Sequence, residues 1–435
     1  MSKFSKANIK KTFYYMKKNG FYDTTIAAIE RLKTKEEGYN YFPPTKQELQ
    51  EQSQISFKHP IKISIVVPLY NTPINYLKEM IESVCKQSYG EFELLLSDAS
   101  TEEYLRENNI EEIVNRYEDN RIVYIKLEEN KGISDNTNIA IRQASGDYIG
   151  LLDHDDCLTL DALYEVTKVI NRYIDEKGKA PYLIYSSEDK ADGEMKSFYD
   201  VNIKPKFDQD YLWSNNYICH FTVIKGEILK KLELRSEFDG AQDYDVILRA
   251  AYESEKDFLQ VLNIEKVLYH WRCHNDSTAI NPQSKLYAYE AGKRAVEVDL
   301  ERRNIKAIVK HSKHLGFYHI EYENIMKDRL EVGMVVPPKY KKLKIVSGAR
   351  SENGRLLYDG LYKGFSGGHL HRASTWQQIE VGDILNSYIR KGLLEEFIKA
   401  KEVKGEAINL SSIETIITFA EFLHSRGYKI LYNPQ

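Results

Sequence analysis

The sequence predicts an α/β protein built on a mostly parallel sheet with helices on both faces. Three observations carry that expectation. Between Ile61 and Leu152, β-rich runs alternate with helical ones. Each expected strand ends in polar or turn residues, and the fourth ends in Asp153-His154-Asp155-Asp156. In open parallel sheets ligands bind beyond the carboxyl ends of the strands, so all these residues share the edge where a site belongs.

The elements follow in order. Residues 8–32 place Ile9, Phe13, Tyr14, Phe21, Ile26, Ile29 and Leu32 at near-helical spacing, with a break at Gly20. Lys3, Lys6, Lys10, Lys11, Lys17 and Lys18 give this extension a basic face. Such a face suits a docking helix with solvated lysines, or a peripheral contact with an anionic membrane. Tyr41-Phe42-Pro43-Pro44 is a break, and 45–58 a polar linker. Strands are expected at 63–69, 92–96, 121–127 and 148–152, and helices at 74–87, 102–117, 134–144 and 158–169.

A chain of 435 residues holds two or more domains. The patterning suggests a helical extension and linker at 1–59, an α/β domain at 60–312 and an α/β accessory domain at 313–435. A net charge of -4 argues against general nucleic-acid binding. Cys85, Cys157, Cys219 and Cys273 show no paired or metal-ligand spacing, which fits a reducing cytoplasm. The first 18 residues lack a signal-peptide core, and no run approaches the roughly 20 apolar residues of a membrane span. The expected location is cytoplasmic, at the inner face of the membrane if the basic helix binds there. A homo-oligomer is left open.

The first strand runs into Pro68-Leu69-Tyr70-Asn71-Thr72, the second into Ser97-Asp98-Ala99-Ser100, and the third leads to Asn130-Lys131-Gly132-Ile133-Ser134. Each alone is a turn motif; together on one edge they outline a site. Asp98 suits a hydrogen bond to a base or ribose, Tyr70 suits stacking, and the Lys131-Gly132 loop suits approach to a phosphate. Neither G-x-x-x-x-G-K-[ST] nor a strand followed by G-x-G-x-x-G occurs. Charge on a diphosphate would instead be neutralised by Mg²⁺ or Mn²⁺ on the acidic cluster. The same carboxylates suit capping of the helix expected from Leu158, and Asp156 fits that role.

These segments, with Ser186-Ser187-Glu188-Asp189-Lys190, Asn216-Tyr217-Ile218-Cys219-His220, Gly240-Ala241-Gln242-Asp243-Tyr244-Asp245 and Tyr269-His270-Trp271-Arg272, resemble the family 2 glycosyltransferases of GT-A fold. The resemblance spans about residues 60–305, and is to bacterial members that build rhamnose-containing or other surface polysaccharides. It implies a GT-A, Rossmann-like sheet and an inverting, metal-dependent transfer from a UDP- or dTDP-sugar. The implied acceptor is a glycan, a lipid-linked glycan or a glycoprotein. Asp153-His154-Asp155 falls at the D-x-D position, with Asp153 and Asp155 as metal ligands, Asp155 the expected direct one, and Asp153 also beside the donor. Pro68, Tyr70, Asn71, Asp98, Lys131 and Gly132 fall in the nucleotide pocket. Asp243 falls at the catalytic base. Gln242 stands where relatives carry glutamate, and Thr137 where many carry arginine. Tyr217, Cys219 and His220 lie where acceptor and donor sugar meet, Gln242 bears on acceptor contacts, and His270, Arg272 and His274 lie where a loop covers the diphosphate. Packing is an equal reading for Cys219, and His270 beside a tryptophan also suits a satisfied core histidine.

The chemistry asks for such a pair of sites. A sugar hydroxyl is a weak nucleophile and needs a carboxylate to take its proton. The departing diphosphate gains charge that a cation stabilises. Two other classes stay open: a sugar nucleotidyltransferase, although 67–73 lacks its glycine-rich loop, and a non-catalytic nucleotide-sugar or glycan-binding protein.

In the C-terminal third, 337–344 is basic and 364–368 glycine-rich without a phosphate-loop context. His369, His371 and Asp383 match no standard metal spacing. Residues 329–337, 387–397 and 426–434 resemble the latter half of a second glycosyltransferase copy, without its nucleotide-binding strands.

Overall fold

The computed structural model describes residues 6–33, 38–273, 286–368, 370–403, 405 and 408–434, with side chains from residue 12. The chain divides into two compact units, one of residues 38–207 and 217–295, the other of residues 1–37, 208–216 and 296–435.

The first unit is built on one nine-stranded sheet. Its strands are β1 Ile63–Leu69, β2 Phe92–Asp98, β3 Ile122–Lys126, β4 Tyr148–Leu151, β5 Cys157–Leu158, β6 Leu183–Ala191, β7 Phe198–Asn202, β8 Thr222–Lys225 and β9 Leu262–Arg272. The order is β3-β2-β1-β4-β8-β6-β9-β5, with β7 beside β6. β3, β2, β1 and β4 pair in parallel. β8 lies antiparallel between β4 and β6, and β9 runs parallel to β6. Six strands therefore run one way, as the alternation predicts.

β1 and β2 are buried along nearly their whole length because helices cover both faces of a parallel sheet. The helix Ile74–Cys85 buries Leu77, Met80, Ile81 and Val84, and the helix Ala162–Lys177 buries Leu163, Val166 and Ile170. These spacings put each set on one helical face. Their side chains share a core with Ile65, Val67, Leu94, Leu96 and Leu268. Packing there is close: a Cβ on Gly150 would lie 2.7 Å from the Phe221 ring.

Three local expectations change. The linker expected over 45–58 contains a helix, Lys46–Ser53, started by the Thr45 and Glu48 side chains. The helix expected over 102–117 is two, Glu102–Glu107 and Ile110–Asn115. Asn108 is extended, and the Asn109 side chain accepts the Glu112 N–H to start the second helix. Asp156 does not cap a helix. Its carboxylate accepts the Tyr269 hydroxyl at 2.5 Å and the Arg272 N–H at 2.7 Å, both on β9. The chain behind it is thereby drawn into β5, and the helix starts only at Ala162.

In the second unit, strands Gln377–Ile379, Lys429–Tyr432, Val332–Val336 and Tyr388–Ile389 form a sheet in that order. Phe397 and Phe419, from helices Leu393–Val403 and Ile413–Ser425, pack with Met334, Val336 and Ile430. The helix Lys6–Lys33 kinks at Gly20 (φ 83°). It docks within this unit: Asp23 meets Lys313 at 2.5 Å, and the Glu30 carboxylate accepts the N–H groups of Ser366, Gly367 and Gly368 at 2.8–3.2 Å. The glycine-rich loop is thus a nest for a carboxylate of the same chain. Residues 337–344 enter a hairpin, Lys339–Lys341 against Lys344–Ser347, turned by Lys342 and Leu343 at φ 49° and 64°. His371 stacks on His314 with ring centroids 3.5 Å apart, while Asp383 binds Ser347, Gly348 and Arg350. His369 lies outside the described residues. No described helix is long and apolar enough to cross a membrane.

Candidate active site

Strand pairing brings the acidic turn and the Asn216–His220 segment together. β4 and β8 are antiparallel, with Leu151 opposite Thr222. Two residues beyond Leu151 is Asp153, and two residues before Thr222 is His220, so the two leave the sheet at the same end. The His220 Nε2 lies 3.7 Å from the Asp153 carboxylate and its Nδ1 lies 3.3 Å from Glu188 on β6. The imidazole stacks on Tyr269, whose position opposite Glu188 in the β6–β9 pairing puts it there.

The neighbouring Cys219 lies beside the His220 imidazole and also reaches Asp243. Its thiol donates to the Asp243 carboxylate at 2.9 Å. Burial, with that carboxylate beside it, pushes the thiol up to about 12, so it stays a neutral donor. Asp243 sits in the first turn of the helix Gln242–Lys256 and is half-buried. Asp245, two residues on, is buried and bound by Arg235 and Arg249. Of these two acids, only Asp243 has the exposure to meet a substrate. Gln242 turns back instead, its Oε1 accepting the Gly240 N–H at 2.8 Å.

Asp153, Asp156 and His220 bring one ligand atom each to within 4.8 Å of one another. Asp155 is partly exposed in the same turn, and Asp153 is exposed. Burial and the like charges of Asp155 and Asp153 push Asp156 well above the usual carboxylate range. Crowded carboxylates of this kind fit a divalent cation, which relieves their repulsion. Asp156 already accepts two protein hydrogen bonds, leaving Asp153 the more available donor.

At the β1–β2 end, Leu69 pairs with Asp98, so Tyr70 and Asp98 share one edge. Tyr70 is half-exposed, whereas Asp98 is fully buried, accepting the Tyr124 hydroxyl at 2.8 Å and the Ser100 N–H at 2.9 Å. Pro68 is partly buried; Asn71, at φ 47°, accepts the Thr101 N–H through its side chain. Gly132 (φ 97°) lies where a Cβ would be 2.7 Å from Asp239, whose carboxylate caps Ser134. Lys131 pairs with Glu129 at the surface, and Thr137 donates to the Ile133 carbonyl.

His270 is a buried core histidine: Nδ1 lies 2.6 Å from Asp189, between the rings of Tyr41 and Phe198. Arg272 is fully buried, with its guanidinium on the carbonyls of Asp155 and Gly193 and on Glu79. It holds the acidic turn from beneath. His274 lies outside the described residues. Sequence reasoning assigned no role to Glu188 on β6, Tyr269 on β9 or Lys204 beyond β7; register sets Glu188 beside Tyr269, and the Lys204 ammonium reaches Glu188.

Residues 64–233 match the family described as Glycosyl transferase family 2. An uncharacterized glycosyltransferase of Methanocaldococcus jannaschii is 31% identical over 234 residues, covering 52% of this chain and 77% of that protein. The chain belongs to glycosyl transferase family 2. An uncharacterized protein of Sinorhizobium fredii is 41% identical over 250 residues, 57% of this chain and 26% of that protein. The O-antigen biosynthesis protein RfbC of Myxococcus xanthus is 29% identical over 279 residues, 64% of this chain and 21% of that protein. This family 2 chain therefore spans 26% and 21% of the length of these two longer relatives. The matched residues contain the acidic turn, Glu188, Lys204 and the Cys219-His220 pair; Asp243 lies just beyond them.

Proposed function

We propose that the first unit transfers a sugar from a UDP- or dTDP-sugar to a hydroxyl of a glycan acceptor, inverting the anomeric centre, in the assembly of a surface polysaccharide or glycoprotein. The observation that carries this reading is the unbroken link Asp243–Cys219–His220–Asp153. It joins a half-exposed carboxylate and an acidic turn through one dipeptide. Family membership and the relative named for O-antigen biosynthesis support the acceptor class.

In this reading Asp243 accepts the proton of the attacking hydroxyl, held in place by the Cys219 thiol. Asp153, with Asp155 in the same turn, would hold Mn²⁺ or Mg²⁺, which when bound stabilises charge on the diphosphate. Asp156, Tyr269 and Arg272 keep that turn in place from the buried side. Tyr70 and Asp98 serve the nucleoside.

Screening UDP- and dTDP-sugars for donor consumption, with and without EDTA, tests the proposal. Asp243→Asn is expected to lower turnover by about 10²–10⁴-fold. Parental turnover in that variant would remove Asp243 as the base. Independently of turnover, Asp153→Ala is expected to weaken Mn²⁺ binding about tenfold or more in calorimetry; equal affinity would remove Asp153 as a ligand.

A further inference from the structure

We propose that Lys204 is the positioning residue that fixes Cys219 and His220 between the two halves of the active site. The inference rests on the transferase reading for its catalytic consequence, though its geometry stands alone. The Lys204 side chain is fully buried. Its ammonium donates to the Glu188 carboxylate at 3.2 Å, the Ile218 carbonyl at 3.2 Å, and the carbonyls of Cys219 and His220. Its own backbone N–H donates to Ser187 on β6 at 3.1 Å.

An ammonium is costly to bury, and burial duly lowers its pKa. A hydrocarbon of the same length would fill the space without that cost. The charge is explained by what surrounds it. Three consecutive carbonyls converge on one point, which His220 permits by adopting φ 55°. Carbonyl dipoles aimed together repel unless a donor stands at their focus, and a three-proton ammonium satisfies several at once.

Glu188 completes the arrangement. It accepts from Lys204 and from Asn202 at 3.1 Å, and faces His220 Nδ1 at 3.3 Å. Burial opposes its ionisation, but Lys204 and His220 outweigh that and hold the carboxyl at about 2. Lys204 thus sets the backbone of the dipeptide while Glu188, held by Lys204, sets the imidazole. Without the ammonium, the Cys219 contact to Asp243 and the His220 contact to Asp153 loosen together. Among the described residues, the contacts of Lys204 run to Glu188, Ser187 and the 218–220 carbonyls and not to Tyr70 or Asp98, so a defect in it falls on positioning of the reacting groups.

The test uses the full chain carrying Lys204→Met, with the exposed Lys206→Met as control. Each is treated with N-ethylmaleimide, and alkylation is followed peptide by peptide with mass spectrometry. The expected result is Cys219 labelling at least tenfold faster in Lys204→Met, with Cys157 and Cys273 unchanged and the control within twofold of the parent. Cys219 labelling within twofold of the parent in Lys204→Met overturns the proposal, and so does equal acceleration at all three cysteines, which marks general loosening. Should Lys204→Met not fold, Glu188→Gln serves: labelling of Cys219 at least threefold faster supports the proposal and an unchanged rate overturns it. With an active donor in hand, kcat is expected to fall 100-fold or more with KM within threefold; a raised KM at unchanged kcat also overturns it. If the parent turns over no donor, the transferase reading fails while the labelling still judges Lys204.

Discussion

Glu93 shows how one carboxylate ties strands together at the foot of the sheet. It accepts from Lys62 at 2.9 Å, Ser64 at 2.6 Å and both the N–H and hydroxyl of Ser145. Burial works against its charge, but these donors win and hold it at about 2 instead of the usual 4.5. A lowered carboxylate contributes stability that is complete above its unfolded value and is lost as pH falls through the folded one. Between about pH 4.5 and 2 the parent is therefore expected to lose about 2–3 kcal/mol more than Glu93→Gln in urea unfolding, and parallel curves would remove this role. Residues at the strand ends were legible because a strand end is a local pattern: an apolar run stops and Tyr70, Asp98 or Asp153 follows. Glu188, Lys204 and Tyr269 carry no such mark. Their partners are set by which strands lie side by side, and that register is not written in any short window. Arg272 illustrates the converse, since its position suggested a phosphate contact while its burial commits the guanidinium to backbone carbonyls.

Among the elements, β1, β2, β4 and the helix Ile74–Cys85 follow the expectation closely, because each is buried in the core. Expectation and structure part where a side chain competes with the backbone, as Asn109 does in splitting one helix and Asp156 does in delaying another. The N-terminal helix left two readings open, and its docking turns on Glu30. That carboxylate fills the nest at 366–368. Glu30→Gln keeps the shape but drops the charge that the converging N–H groups favour. Charge-assisted hydrogen bonds contribute roughly 1.5–3 kcal/mol, so limited proteolysis within 12–33 is expected to quicken about tenfold or more. An unchanged digestion pattern would mean the nest contributes little to docking.

For the molecule as a whole, the short helix Gln209–Ser214 is the telling segment. It lies in sequence between β7 and β8 but belongs to the second unit. Its Asp210 is fully buried against Arg329, at 2.8 Å, and Trp213 donates to Asp299 at 2.9 Å. Breaking a buried pair strands one charge, so Arg329→Met is expected to cost about 3–5 kcal/mol. Adding Asp210→Asn should restore a good part of that loss in thermal unfolding; strictly additive losses would show that the two do not act as a pair. Composition and periodicity give no hint of this excursion, since a six-residue buried helix reads alike in either unit.

The strand Lys429–Tyr432 lies between two others in its sheet, with Val332–Val336 on one side and Gln377–Ile379 on the other. A ribosome delivers residues in order, so that sheet has a gap in its middle until residue 432 has emerged. The nine-stranded sheet, by contrast, has every strand in hand by residue 272. During synthesis the first unit can therefore close while residues 208–216 still wait for partners 86 to 170 positions downstream. For that interval a nascent chain carries Trp213 and Asp210 without their mates, which makes it a natural client for chaperones, and a message cut short before 429 yields a chain with half of its architecture finished and the other half without its central strand.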